Sequence, residues 1–403
     1  MVEAILVVNH GSTSIKIDLT APDSGQCLGS LRVERLGSGD AAYQLNGGPF
    51  ERAPDEPVEA LRLLVPRVLN QERCVVIASG HRIVHGGPMF SKPTLLDAEV
   101  IDHLETVSTL APLHNPPALL GIKTVMSLLP TLQHVAVFDT GFHHTIPEHA
   151  ITYALPRELV KKHGLRRYGF HGISHQFTAE KISARLAKNT NDLKLAKNTN
   201  DLKLVVCHLG GGCSVCAIKG GRSVATSMGM TPLEGLVMAT RSGDIDPAIP
   251  LKLLKMEGYG IDELEEILTQ KSGIFGMTDG ISDFRDLELS ASSGVEACQL
   301  ALDVFCHQLL KSIGSHLAIL NQADALVFTG GIGENSTEVR SRICKSLSNL
   351  GVQLDVGRNA SVDLSDVENL KEITKSESPV RVYVSRSNEA WAIAKLAKEK
   401  LMV

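Results

Sequence analysis

The chain has 403 residues, with 40 Lys and Arg against 45 Asp and Glu, a formal charge of −5, and 43% hydrophobic but only 4% aromatic residues. That balance excludes a disordered chain, and the lack of a basic stripe or a set of stacking rings excludes a nucleic-acid binder. At roughly 100–200 residues per domain, the length predicts two domains, each able to bury a core without disulfides or structural metal.

The opening run Met1–Val8 carries one acid and no basic flank, and Asn9 and His10 interrupt it, so it reads as a strand and not as a signal peptide. No run approaches the roughly 18–20 apolar residues of a membrane span. The eight cysteines are scattered, several of them within apolar runs, which predicts buried thiols in a reducing cytoplasm. Strands are predicted at Ile5–Asn9, Val75–Ala78, Val135–Phe138, Leu204–Cys207, Leu326–Thr329 and Val380–Val384. Helical periodicity covers Asp97–Leu110, with Val100, Ile101, Leu104, Val107 and Leu110 on one face, and the longer stretch Val295–Leu320. Strands alternating with helices predict an α/β protein.

An internal echo adds to this plan. Val7-Val-Asn-His-Gly-Ser-Thr-Ser-Ile-Lys-Ile and Val205-Val-Cys-His-Leu-Gly-Gly-Gly-Cys-Ser-Val-Cys-Ala-Ile both read as strand, tight polar turn, strand, about 200 residues apart. The echo predicts two domains of similar plan, each opening with a hairpin whose turn can cradle phosphate. A second repeat differs in kind: Leu186-Ala-Lys-Asn-Thr-Asn-Asp-Leu-Lys194 is followed at once by an identical copy ending at Lys203. Its polar content reads as a surface connection without chemistry.

Four Gly-rich segments carry candidate chemistry: Gly11-Ser-Thr-Ser-Ile-Lys16, Gly80-His-Arg-Ile-Val-His-Gly-Gly87, His208-Leu-Gly-Gly-Gly-Cys-Ser214 and Thr329-Gly-Gly-Ile-Gly-Glu-Asn335. Singly each is ordinary turn chemistry; together they favour phosphate binding. The last follows a strand and precedes a helix, a placement suited to holding a nucleotide against backbone. Neither a P-loop nor a Rossmann fingerprint is present. His143, His144 and His149 follow Asp139 closely but lack the spacing of a zinc helix, and Cys213 and Cys216 sit three apart on a strand, facing opposite ways. Arg166-Arg-Tyr-Gly-Phe-His171-Gly and Ala239-Thr-Arg241-Ser-Gly-Asp244 set an imidazole and a guanidinium in tight turns, where they suit transferred-phosphoryl charge as well as solvent. Glu389, in the first turn of a helix, reads as a helix-capping acid.

With Phe138-Asp-Thr-Gly-Phe-His143, Thr226–Gly235, Ser282-Asp-Phe-Arg285 and Ser387-Asn-Glu389 added, the motifs closely resemble the acetate kinase family, in order from residue 2 to about 400. The resemblance implies an α/β chain of two actin-like, sugar-kinase-like ATPase domains, a duplicated ribonuclease-H-like core. These would span 1–147 with the C-terminal helix 387–403 returning, and 148–386. It implies reversible transfer of the ATP γ-phosphoryl group to acetate, giving acetyl phosphate and ADP, in a cytoplasmic homodimer that closes around its substrates.

By the same resemblance, Arg82 and Arg241 clamp the carboxylate and the moving phosphoryl, His171 donates to the transition state, and Asp139 is the catalytic aspartate. Because a carboxylate acceptor is already ionised near neutral pH, Asp139 is expected to orient Arg82 or Mg²⁺ and not to act as a base. Asn9 and Glu389 hold Mg²⁺, directly or through water. Ser12, Ser14 and Lys16 lie near the phosphates. His208, Leu209, Gly210, Gly211 and Gly212, with Asp283, Phe284 and Arg285 and with Gly331, Ile332, Gly333, Glu334 and Asn335, lie near the nucleotide. Val84, Leu113, Phe170 and Pro232 form the apolar pocket for the acetate methyl.

Two departures stand out. Gly211 takes the place where the family carries Asn, removing a side chain that can reach phosphate, and one copy of the nine-residue repeat is surplus to the family's spacing. A propionate or butyrate kinase is the nearest alternative, since one methylene in an apolar pocket is worth only about 1–3 kcal/mol. A nucleotide-switched binding protein on the same fold is the alternative from another class, and it would need no carboxylate clamp.

Overall fold

The apolar run that opens the chain forms β1 (Val2–His10) and turns back through a Gly11–Ser14 hydrogen bond of 2.8 Å into β2 (Ile15–Thr20), in a computed structural model describing residues 1–70, 74–188, 201–256, 258–366 and 369–402. β3 (Cys27–Glu34), β4 (Ala42–Leu45) and β5 (Phe50–Arg52) continue the antiparallel meander. On the other side of β1, β6 (Cys74–Ile83) and β8 (Gln133–Phe138) run parallel to it, with β7 (Thr94–Leu95) at the edge. The sheet order is β5-β4-β3-β2-β1-β6-β8-β7.

The second sheet repeats this plan. β9 (Lys203–Leu209), β10 (Cys213–Lys219) and β11 (Arg222–Thr226) form the antiparallel part, and β12 (Ala325–Thr329) and β14 (Arg381–Ser385) add in parallel, with β13 (Leu370–Glu372) at the edge. Its order is β11-β10-β9-β12-β14-β13. Three antiparallel strands followed by two parallel ones, twice over, is the duplicated ribonuclease-H-like core of the actin-like fold. The two echoed segments are the β1–β2 and β9–β10 hairpins.

Each sheet belongs to its own compact unit. Unit 1 comprises Met1–His144, Gly172–Ser174 and Asn388–Val403, and unit 2 comprises Thr145–His171 and His175–Ser387. In unit 1, every second residue of β1 and β2 joins one core: Ala4, Leu6 and Val8 with Ile15, Ile17 and Leu19, closed by Leu61, Leu64 and Val65 of the helix Pro57–Leu69. This alternation is what a strand with one face on the core requires. The predicted helix at 97–110 is an α-helix over Ala98–Val107, capped by the Asp97 carboxylate, with a final 3₁₀ turn over Ser108–Leu110. Its Val100, Ile101, Leu104 and Val107 pack on Ile83, Ala136 and Phe138.

The C-terminal helix Glu389–Leu401 packs on β1, β6 and β8, and Trp391 donates through Nε1 to the Pro22 carbonyl at 2.8 Å. In unit 2 the predicted long helix spans Glu296–Leu320 and packs on β9 and β10. It stops where Asn321 turns left-handed. Most of the duplicated nonapeptide, residues 189–200, lies outside the described residues. Among the described residues no helix is long and apolar enough to cross a membrane.

Unit 1 also buries imidazoles. Burial, reinforced by the neighbouring His134, pushes His81 down to about 3, and burial pushes His10 down to about 4. Both groups are neutral in the folded state and free to protonate near 6.5 in the unfolded chain, so the unfolded state binds more protons between about pH 6 and 4. Stability is therefore full above 6.5 and falls with pH by about 2.7 kcal/mol per unit from these two groups together. Urea midpoints followed by the fluorescence of the sole tryptophan, Trp391, are expected to drop steeply between pH 6.5 and 5. Unchanged midpoints over that range would contradict the assignment.

Candidate active site

In unit 1 the parallel strands end side by side. Val8 pairs with His81 and Ile83 with Phe138, so Asn9, Arg82 and Asp139 emerge together at the C-terminal edge. That edge is where open α/β sheets place their ligands. Arg82 donates from Nε to Asp139 Oδ1 at 3.1 Å and from Nη2 to Oδ2 at 2.6 Å, a two-pronged ion pair. Its Nη1 donates to Asn9 Oδ1 at 3.3 Å, and its Nε lies 3.1 Å from Glu389 Oε1. Asn9 Nδ2 donates to Glu389 Oε2 at 2.9 Å, across 380 residues of sequence.

Glu389 thus does more than favour its helix. Asn388 is the capping residue, accepting from the Trp391 amide, and the Glu389 carboxylate is spent on Arg82 and Asn9. Burial opposes the charge on Arg82, but Asp139 and Glu389 outweigh it and hold the guanidinium well above its ordinary range. Asp139 is only 1% exposed. The four side chains gather two carboxylates and one amide oxygen around one cation. These are hard donors, and Mg²⁺ asks for only one or two carboxylates beside water and phosphate oxygens. The set therefore fits such an ion completed by its substrate. Among the described residues, no three His, Cys, Asp or Glu side chains form a closed metal cage, the His143, His144 and His149 cluster included.

In unit 2, His171 stands at φ +57°. Its ring lies against that of His208, with centroids 4.3 Å apart, and its Nδ1 is 3.0 Å from Ser214 Oγ. Arg241 donates from Nη1 to the Pro232 carbonyl at 3.1 Å, which ties the guanidinium to the loop expected to meet the acyl group. That loop is braced by Glu234, which accepts from Tyr153 at 2.5 Å and from Arg167. A methyl built on Gly212 would lie 3.3 Å from His171 and 3.6 Å from Arg241 Nη1, so glycine lets both side chains crowd the turn. Phe170 is buried and Pro232 half-buried in unit 2, while Val84, half-buried, and Leu113, exposed, belong to unit 1.

The segments expected to meet the nucleotide converge on a cavity of about 560 Å³, within the range of roughly 300–1,000 Å³ usual for small-ligand sites. Gly210, Gly211, Asp283, Phe284, Arg285, Gly331, Ile332 and Asn335 line it. Of the other predicted nucleotide residues, Leu209 and Gly333 are buried behind it, and Glu334 accepts from the Ser387 amide at 2.7 Å. His208 lies against His171 instead, and Gly212 carries the His171–Arg241 corner. Ser12, Ser14 and the exposed Lys16 lie in and after the β1–β2 turn of unit 1. Asp283 caps the helix Phe284–Ser292, and hydrogen bonds from Arg285 hold its carboxyl down at about 2.

The Gly330–Asn335 segment follows β12 and precedes a helix over Thr337–Ser346, and is itself wound into a short helix. Gly330 at φ +79° turns the chain out of β12 so sharply that a side chain there would meet the Leu209 carbonyl at 2.6 Å. Sequence reasoning also missed Ile274, Glu288 and Ser336 in the cavity wall, His175 against Ser214, and Arg340, which donates to the Gly333 carbonyl. None of these carries a pattern of its own.

Gly211 faces open space: nothing lies within 4 Å of a side chain built there, and its backbone is not left-handed. Gly211→Asn is therefore expected to fit, and to add one hydrogen bond to phosphate worth about 0.5–1.5 kcal/mol. ATP titration should show a two- to tenfold tighter Kd, by roughly the same arithmetic. A weaker Kd would show that the turn depends on glycine.

The profile of the Acetokinase family matches residues 4–395. The acetate kinase of Thermotoga petrophila is 43% identical over 406 residues, covering 98% of each chain. The crystal structure of Porphyromonas gingivalis acetate kinase superposes with a TM-score of 0.88 at 36% identity, covering 99% of this chain and 100% of that one. A propionate kinase from Francisella tularensis superposes with a TM-score of 0.87 at 34% identity, covering 98% and 99%.

Proposed function

The chain belongs to the acetokinase family, and from that premise we propose that it moves the γ-phosphoryl group of ATP reversibly onto acetate, giving acetyl phosphate and ADP. It is a phosphotransferase with a carboxylate acceptor. The observation that carries the reading in chemical terms is the Asn9–Arg82–Asp139–Glu389 cluster, because a nucleotide switch has no use for a guanidinium clamped between two carboxylates.

Phosphoryl transfer spreads negative charge over three equatorial oxygens and demands positioning more than covalent chemistry. Two anions must meet, so the protein's cations set the rate. Arg82, kept protonated and aimed by Asp139, binds the acetate carboxylate. Arg241 binds the moving phosphoryl, and His171 donates a hydrogen bond to it. Asp139 orients Arg82 and takes no proton, since acetate arrives ionised near neutral pH. Asn9 and Glu389 hold Mg²⁺, which when bound neutralises charge on the phosphate oxygens. Ser12, Ser14 and Lys16 contribute donors to the phosphates, and the unit 2 cavity takes the nucleoside. Val84, Leu113, Phe170 and Pro232 are the apolar side chains assigned to the methyl. Excluding water from this assembly protects the phosphoryl group from hydrolysis.

Six of the eight cysteines are buried thiols, which supports a cytoplasmic location. A homodimer is the assembly expected of the family. Light scattering tests the dimer. The activity is tested by ADP formation from Mg·ATP with acetate, propionate and butyrate in parallel, trapping acyl phosphate with hydroxylamine. Acetate favoured in kcat/KM supports the reading. Propionate favoured keeps the mechanism and changes the acceptor, and no trapped product with any of the three overturns it.

A further inference from the structure

His171 is held from behind as well as from the side. Ser214, fully buried on β10 opposite His208 of β9, places its Oγ 3.0 Å from His171 Nδ1 and 2.7 Å from Nε2 of the equally buried His175. One hydroxyl proton thus lies between two imidazole nitrogens. A serine hydroxyl has a single proton to donate while its lone pairs accept, so its orientation decides how His171 is protonated. If the hydroxyl donates to His175, His171 must carry its proton on Nδ1, and the neutral ring presents a bare Nε2. If it donates to His171 Nδ1, the neutral ring carries its proton on Nε2.

The Nε2 edge has a distinct neighbourhood. A methyl on Gly212 would lie 3.3 Å from His171 Nε2 and 3.6 Å from Arg241 Nη1, so the imidazole edge and the guanidinium flank one point of the turn. A second proton on the ring would place positive charge beside that guanidinium, and Coulomb repulsion opposes it. A ring that must donate to an anionic phosphoryl oxygen from Nε2 without becoming a cation has one tautomer open to it.

Resting on the phosphotransferase reading, we propose that Ser214 is a positioning residue. It accepts from His175 Nε2–H and donates to His171 Nδ1, fixing His171 as the neutral Nε2–H tautomer that faces the transferred phosphoryl. No bond breaks in this chain, and the proton stays on Nε2 throughout. The left-handed backbone of His171 and its tilted contact with the His208 ring hold the ring plane, and Ser214 sets which nitrogen is the donor.

The test uses the full-length protein labelled with ¹⁵N-histidine, at about pH 8, above the ordinary imidazole range. Long-range ¹H–¹⁵N correlation, with the His171 signals identified by their loss in His171→Gln, is expected to show Nε2 protonated and Nδ1 bare. In Ser214→Ala the two tautomers should mix. Its kcat should fall about 10- to 100-fold with KM for ATP and acetate within about twofold, since an interaction used only in the transition state has been weakened. Ser214→Thr, which restores the hydroxyl, should recover most of kcat. A wild-type His171 protonated on Nδ1 overturns the proposal, as does a Ser214→Ala enzyme with unchanged tautomer and kcat. A wild type that makes no acyl phosphate overturns the phosphotransferase reading instead, and the spectrum then still decides the tautomer.

Discussion

Asp139→Asn is expected to lower kcat about 10³-fold while leaving ATP affinity nearly unchanged. The carboxylate is buried and gives one oxygen to each of two guanidinium donors, at 3.1 and 2.6 Å. An amide of the same shape keeps one acceptor and turns an NH₂ toward Arg82, so one prong becomes a donor facing a donor. Arg82 is then left to Glu389 at 3.1 Å and Asn9 at 3.3 Å, which are the residues proposed for Mg²⁺. Losing one well-aimed electrostatic contact at a phosphoryl-transfer site typically costs 10²–10³, and misaiming the carboxylate clamp adds to it. ATP affinity is nearly spared because Asp139 is given no contact with ATP itself and the nucleoside cavity is lined by other residues. Stopped-time ADP assays and ATP titration separate the two quantities. A variant keeping most of its kcat would mean that Arg82 needs no partner, and the role given to Asp139 would fall.

Much of this is legible in the sequence alone. Strand alternation places Ala4, Leu6 and Val8 on one core face whatever surrounds them, and the paired hairpin motifs announce the duplication because a glycine-bounded turn between two apolar runs has few other solutions. The Arg82–Asp139 pair was legible only through resemblance. Nothing in either segment states that β6 and β8 are parallel neighbours ending in register, a fact set by long-range pairing. Glu389 shows the limit of local reading, since a carboxylate in a helix's first turn is ordinary, and only the packing of that helix on β1 and β6 brings it to Asn9 and Arg82. The winding of Gly330–Asn335 into a helix is not legible in the sequence, because glycine disfavours helices by itself and the support comes from outside the segment.

That support is Arg340, and Arg340→Met is expected to cost about 3–5 kcal/mol of stability and to weaken ATP binding at least tenfold. The side chain is 1% exposed, in a helix whose other arginine, Arg342, pairs with Glu338 and Asp303 nearer the surface. Arg340 Nη1 donates to the carbonyls of Gly333 at 3.0 Å and Glu334 at 2.8 Å, the last turn of the short helix, which has no residues of its own to satisfy them. Its Nε donates to Asn359 Oδ1 at 2.7 Å and its Nη2 to the Asn359 carbonyl at 3.1 Å. Burial pulls the guanidinium down to about 10, still protonated at neutral pH, so a cation sits at a helix C-terminus where the backbone dipole favours it. Methionine fills the volume but leaves four acceptors without their donor. The helix that presents Ile332 and Asn335 to the cavity then loses its anchor, and the nucleotide loses that wall. Urea unfolding and ATP titration read the two effects, and KM for acetate should barely move. If stability fell while ATP affinity held, the short helix would be supporting itself, and Arg340 would be a core residue with no part in shaping the nucleotide cavity.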